Sequence, residues 1–162
     1  MSILTDQSKQ LLPEVAKFLA CTTHNAIIGG EQVASSSGST FTTYDPGSGE
    51  ALAEVCDMSA EEVSQAVEAG ARAFRETNWS RLSSNERGAL MHRLADAVEK
   101  RLPIFGQIES LDAGKIYAQA CGDVQNFVDT VRYFADLALH VEHRTTLAVK
   151  GHEAWTVRHP WW

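Results

Sequence analysis

The sequence predicts a mixed helix-and-strand chain: a small antiparallel β meander, then four to five helices, then a C-terminal arm of two strands. Three observations predict it. Residues 25 to 56 run at period two between clusters of turn formers, residues 59 to 141 run at helical period behind two capping boxes, and period two returns after His143.

The elements follow in order. Residues 5 to 20 predict a leading helix, because Leu11, Leu12, Val15 and Leu19 recur at helical spacing, although Pro13 interrupts the pattern. Ala26-Ile27-Ile28 then runs into Gly29-Gly30 and Gln32-Val33-Ala34, followed by the polar run Ser35 to Gly38. Thr40 to Tyr44 is β-branched and aromatic, Asp45 to Glu50 is dense in turn formers, and Ala51 to Val55 alternates apolar with polar. These strands predict the meander.

Ser59 with Glu62, and Ser83 with Glu86, have the spacing of capping boxes. The first opens a helix with an apolar stripe of Val63, Val67, Gly70 and Phe74; the second opens one with Leu90, Met91, Leu94 and Val98. Pro103 in a first turn and Gly114 at a C-terminal stop bracket a shorter helix carrying Ile104, Ile108 and Leu111. The last helix carries Val124, Phe127, Val128, Val131, Phe134 and Ala138. Each stripe needs a surface to cover. Beyond them, Thr145 to Val149 and Ala154 to Val157 read as two strands joined at Lys150-Gly151-His152.

Composition bounds the function. A chain of 162 residues with 44% hydrophobic and 22% charged residues is ordinary for a globular protein. A net charge of -7 argues against nucleic acid, which needs a concentrated basic face. The richest basic stretch, Arg81 to Arg101, also holds Glu86, Asp96 and Glu99 and reads as a solvated helix face. No span approaches the ~20 apolar residues of a membrane helix, and the N-terminus has no secretory pattern. Cys21, Cys56 and Cys121 are odd in number and widely spaced, which fits free thiols in a reducing compartment, with the cytoplasm as the default.

The residues that invite a chemical reading have bland explanations. Gly47-Ser48-Gly49 is the only G-x-G, and it lies in a hairpin turn with no helix after it, so it is read as a turn and not a phosphate cradle. Cys56 adjoins Asp57 and Cys121 adjoins Gly122-Asp123, poor settings for an activated thiolate, so the thiols are read as structural. His140 and His143, three apart, are read as charges favoured at a helix C-terminus, and His152 and His159 are not aimed back at them. No catalytic and no cofactor-binding residue is assigned.

Several segments occur in the order and spacing of one family: Ile28-Gly29-Gly30-Glu31, Tyr44 to Glu50, Trp79-Ser80-Arg81-Leu82-Ser83, Arg93-Leu94-Ala95-Asp96, Glu109 to Lys115, and Arg132-Tyr133-Phe134-Ala135. Together, from about residue 25 to residue 160, they resemble the opening portion of the aldehyde dehydrogenase superfamily. The chain departs from the family at Gly29, where an asparagine is usual, at Asp45, where Asn-Pro is usual, and at Ile116, where a proline often stands. The sharpest departure is Trp162, which stands in a glycine's place and ends the chain. The expectation is a truncation, a frameshift or an engineered end.

The resemblance implies an α/β fold of the aldehyde dehydrogenase type. Residues 1–143 would be the N-terminal part of the dinucleotide-binding domain, and 144–162 the start of an oligomerisation arm. The full-length parent would use NAD or NADP to oxidise an aldehyde to a carboxylic acid; this chain would bind neither cofactor and would be inactive alone. Its partners would be further copies, by homo-oligomer formation or self-association. The resemblance also assigns one ligand set: the Asp112 carboxylate with a backbone carbonyl at Tyr44, for a structural monovalent cation. A capping carboxylate beside Gly114 is the alternative for Asp112. The competing class for the whole chain is a non-catalytic helical interaction module that pairs through its C-terminal strands.

Overall fold

A computed structural model describes residues 10–140, 145–146, 150–152 and 154–155. Helix α1 spans Pro13–Leu19. Pro13 opens this helix instead of interrupting it: a first-turn residue has no helical acceptor for its N–H, so proline costs nothing there. The expected stretch 5–9 lies outside the described residues.

Strands β1 (Ala26–Ile28) and β2 (Glu31–Val33) form a two-residue hairpin, pairing Ala26 with Val33 and Ile28 with Glu31. The turn holds Gly29 at φ 63° and Gly30 at φ 92°. A hairpin turn with positive φ at both central positions matches the strand twist, and glycine meets it without steric cost. Strands β3 (Thr40–Tyr44) and β4 (Ala51–Cys56) form a second hairpin, running from Thr40↔Cys56 to Tyr44↔Ala51 with a bulge at Thr43/Tyr44.

The antiparallel strands expected of the meander are present, but they make two separate two-stranded sheets instead of one. The connection at Ser35 to Ser39 explains the break. Its backbone and hydroxyls are taken by other partners: Ser35 Oγ donates to the Asp57 carbonyl at 2.8 Å, and the Ser36 N–H donates to Glu62 at 2.7 Å. The hairpins are tied instead through His24, whose N–H donates to the Glu54 carbonyl at 2.8 Å and whose carbonyl accepts from Cys56 N–H at 3.0 Å.

Helix α2 (Ala60–Glu76) starts at the expected capping box, as does α3 (Ser84–Glu99). Glu62 does more than cap. One oxygen accepts the Ser59 N–H at 2.7 Å while the other accepts the Ser36 N–H, so one buried carboxylate pins the loop to the helix start. The Ser36 and Ser59 backbone N–H bonds hold it down at about 2, from 4.5. A depressed carboxylate pKa stabilises the fold above the unfolded value, and that contribution is lost as pH falls through the folded one. Thermal stability is therefore expected to fall between pH 4.5 and about 2. Glu62→Gln is expected to melt lower at neutral pH and to flatten that acid limb; an unchanged limb in a pH series of melts contradicts this.

The packed face of α2 corrects the expected stripe. Val63 and Val67 are 52% and 69% exposed, whereas Glu62 and Ala69 are buried and the helix lies on β1. The hairpin approaches so closely that the helix meets it with alanine, and the valine stripe is left outward.

A turn of 3-10 helix at Asn78–Arg81 links α2 to α3. Helix α4 (Leu102–Ala113) has Pro103 in its first turn and ends at Gly114, φ 68°, as the sequence predicts. Helix α5 (Tyr117–Leu137) packs against both α3 and α4 and runs into a short 3-10 turn, Ala138–His140. The layer is close-packed through small side chains: Gly88 and Ala95 of α3, Gly106 and Ser110 of α4, Ala120, Val128 and Ala135 of α5. The large members of the predicted stripes are only partly used. Leu94 is 51%, Phe127 47% and Phe134 53% exposed.

Of the arm, Thr145–Thr146 (β5) pairs antiparallel with Ala154–Trp155 (β6). His143, Leu147 to Val149, Thr156 to His159, Trp161 and Trp162 lie outside the described residues.

Candidate cation site

The turn after β3 and the end of α4 meet. A Cβ placed on Gly114 would lie 2.7 Å from Pro46 Cγ, so the left-handed stop of the helix also lets the Asp45-Pro46 turn seat against it. The two segments to which the cation ligands were assigned are therefore neighbours in space. Tyr44 closes β3 and is 58% exposed; Asp112 is exposed in the last turn of α4.

The donor chemistry suits a hard cation, which takes carboxylate and carbonyl oxygens. The C-terminal end of α4 carries the negative end of its helix dipole, which also favours a cation. Asp45 is committed elsewhere. Its two oxygens accept the Gly47 N–H and the Ser48 hydroxyl, each at 2.8 Å, and these bonds, the Gly47 one foremost, hold its carboxyl below the usual range. Among the described residues no group of three or more His, Cys, Asp and Glu side chains converges on one point. His140 ends a 3-10 turn and His152 is exposed in the arm turn; His159 lies outside the described residues.

The side chains that hold this corner were not singled out from sequence. Lys115 Nζ donates to Glu109 Oε1 at 2.7 Å and to Asp123 Oδ2 at 2.8 Å, clamping the end of α4 to the start of α5; the Asp123 bond and then the Glu109 bond push the lysine pKa up. Ser110 Oγ donates to the Lys115 carbonyl at 2.7 Å. A Glu and a Lys flanking a glycine stop were the available signal.

A second joint brings together two of the segments that carried the family resemblance. Arg132 of α5 donates to Asp96 at 2.8 Å and, through both terminal nitrogens, to Glu99 at 3.0 and 2.7 Å. The arginine holds both carboxyls below their ordinary values. His92 Nε2 lies 2.9 Å from Asp136 Oδ1 in the same joint. Ala95 and Ala135 are 0% and 1% exposed, so these helices touch nearly backbone to backbone. The joint orients the two helices.

The thiols have structural surroundings. Cys56 is buried and its Sγ donates to Asn25 Oδ1 at 3.3 Å; the exposed Cys21 Sγ donates to the Thr23 carbonyl at 3.3 Å. Cys121 packs against Gly106 and Tyr117; burial, then the Cys121 contact, pushes the Tyr117 phenol up. Gly47-Ser48-Gly49 lies in the β3–β4 turn, with Gly49 N–H donating to the Asp45 carbonyl at 2.7 Å and a strand, not a helix, following. Nicotinamide binding needs a glycine turn between a strand and a helix N-terminus. These residues do not fit that cofactor.

Comparison with known proteins adds the context. The profile described as "Aldehyde dehydrogenase family" matches residues 33–161. The chain is 38% identical over 136 residues to the mitochondrial benzaldehyde dehydrogenase of Antirrhinum majus, covering 83% of this chain and 25% of that protein. It is 34% identical over 154 residues to retinal dehydrogenase 2 of Homo sapiens, covering 94% of this chain and 30% of that protein. The NAD+ complex structure of aldehyde dehydrogenase from Bacillus cereus matches it with a TM-score of 0.80 at 33% identity, over 90% of this chain and 30% of that one. The chain thus spans between 25% and 30% of the length of these relatives.

Proposed function

We propose a function from one established premise: the chain belongs to the aldehyde dehydrogenase family. It is the N-terminal portion of a nicotinamide-dependent enzyme that oxidises an aldehyde to a carboxylic acid. By itself it is a non-catalytic outer layer, with no activity and no affinity for NAD or NADP. The observation that carries this reading is the combination of a 0.80 TM-score with 30% coverage of the Bacillus cereus enzyme. The fold elements are those of the family, while the only G-x-G is a hairpin turn and the three thiols sit in structural settings.

Within that reading, residues 1–143 belong to the dinucleotide-binding domain and 144–162 begin an oligomerisation arm. The β5–β6 pairing supports the arm. The whole protein works as a homo-oligomer in the cytoplasm. Free Cys21, Cys56 and Cys121 support a reducing compartment, and no helix among the described residues is long and apolar enough to cross a membrane.

The same hairpin favours a second reading, an interaction module that pairs through its C-terminal strands. The coding sequence downstream of Trp162 separates the two. Continuation into a glycine-rich strand–turn–helix and a nucleophilic cysteine supports the enzyme; an in-frame stop supports the module.

Asp112, with the Tyr44 carbonyl, binds a structural monovalent cation in this reading. Ligand that binds only the native state raises stability with concentration, by about 1.4 kcal/mol at ten times its dissociation constant. The melting temperature is expected to differ between sodium, potassium and a bulky organic cation at matched ionic strength, and Asp112→Asn is expected to erase the difference. Equal melting in all three counts against the cation role.

A further inference from the structure

Helix α1 has seven residues, and isolated helices of that length are marginal in water. Its N-cap position is Leu12, which supplies no side-chain acceptor. Three contacts hold it in place. Val15 is fully buried, the Phe18 ring stacks on His24 with centroids 4.2 Å apart, and the third contact comes from the middle of α4.

That third contact is Gln107, 7% exposed and 95 residues away from Leu12 in sequence. Its Oε1 accepts the Leu12 N–H at 2.8 Å, and its Nε2 donates to the Gln10 carbonyl at 3.2 Å. One amide thus binds the carbonyl of one residue and the N–H of the residue two further on. The N–H and C=O of one strand residue do the same to its parallel neighbour. The glutamine side chain takes the place of a neighbouring strand, and it reads extended backbone, not side-chain identity. Both ends of a buried amide are satisfied by one segment, so the segment and the amide are locked together.

The α3–α5 joint is built without α1: its polar contacts are Arg132 with Asp96 and Glu99, and His92 with Asp136. No residue of α1 takes part in those bonds. The closed position also carries a cost. His24 Nε2 is shielded from water and has no hydrogen-bond partner among the described residues, and the same histidine stacks against Phe18. A buried nitrogen without a partner destabilises the state that buries it, and opening returns it to water.

We propose that residues 10–20 are an openable strap, locked by the Gln107 amide on the Gln10–Leu12 backbone, and that its opening uncovers the His24 imidazole while α3, α4 and α5 stay folded. The device is a local opening of a low-stability unit at the edge of a more stable one.

Hydrogen exchange of the full 162-residue chain, read by peptide mass spectrometry, tests it alongside diethylpyrocarbonate labelling of His24, which mass resolves from the other five histidines. In the unaltered chain, amides of 10–20 are expected to exchange well ahead of those of 120–135. Gln107→Leu keeps the volume and removes both bonds. It is expected to raise exchange at 10–20 and labelling at His24 by about tenfold, the scale of one or two net hydrogen bonds, with 120–135 unchanged. Val15→Ala is expected to do the same, and Glu14→Ala, on the exposed side of α1, to do neither. Exchange of 10–20 in step with 120–135 in the unaltered chain overturns the proposal, as does Gln107→Leu that leaves His24 labelling unchanged. If Gln107→Leu fails to melt cooperatively, the unaltered chain and Val15→Ala decide by the same two criteria.

Discussion

Gly106→Val is expected to be among the most damaging single substitutions in the helical layer. A Cβ at that position would lie 2.5 Å from Cys121 Sγ and 3.3 Å from Tyr117 Cε2, so even one added carbon forces a shift. Valine adds two methyls that cannot turn away from both neighbours. Overpacking of this kind costs about 1–3 kcal/mol, which in a chain of this size is a fall of roughly 2–12 °C in melting temperature. The alanine variant gives a finer check, because two effects oppose. Alanine gains about 1 kcal/mol of helix propensity over glycine, while the Sγ contact costs more than that, so Gly106→Ala is expected to destabilise. In a Cys121→Ala background the Sγ is gone and the sign is expected to reverse. A double-mutant cycle by denaturant melts measures this coupling directly. Additive effects contradict the packing described here.

The second large effect is expected in solution state. Among the described residues the large apolar side chains Val63, Val67, Phe105, Phe127, Tyr133 and Phe134 are all between 41% and 69% exposed. Large apolar side chains left open to water favour association. The three two-stranded sheets add open strand edges, that of β4 being taken in part by His24. The purified chain is expected to run as oligomers or soluble aggregates at micromolar concentration by light scattering with size-exclusion chromatography. A sharp monomer peak with a cooperative melt contradicts this and moves weight to the self-sufficient interaction module.

Much of the fold was legible because its signals are local. Ser59 with Glu62, Ser83 with Glu86, first-turn Pro103 and left-handed Gly114 each act within a few residues, and each marks a real helix boundary. Which face of a helix is buried is not local. In α2 the valine stripe is the stronger periodic signal, yet Glu62 and Ala69 are the buried residues, because a hairpin whose turn at Gly29 lies against Ala69 selects small side chains there. Pro13 was read as an interruption because proline signals a boundary without saying on which side the helix lies. The Ser35–Ser39 link looked like a meander turn; Glu62 and Asp57, distant in sequence, claim its polar groups.

The candidate site was legible only in part, and for a related reason. Nothing in the spacing of Tyr44 and Asp112 brings them together; the family resemblance placed them at one site, and the Pro46–Gly114 contact shows their segments adjoining. The clamps that position the helices there, Lys115 with Glu109 and Asp123, and Arg132 with Asp96 and Glu99, join residues on different elements. Single-sequence charge patterns do not show such pairs, since each residue looks like an ordinary solvated charge.

On the proposed reading these 162 residues carry part of the family's outer layer and none of its chemistry. Its most direct test is to mix the purified chain with NAD or NADP and a panel of aldehydes and follow absorbance of the reduced cofactor. A trace no different from buffer is expected. A rise that depends on aldehyde, and that Cys56→Ala or Cys121→Ala abolishes, would place a working nucleophile and a cofactor cradle within this chain and contradict it.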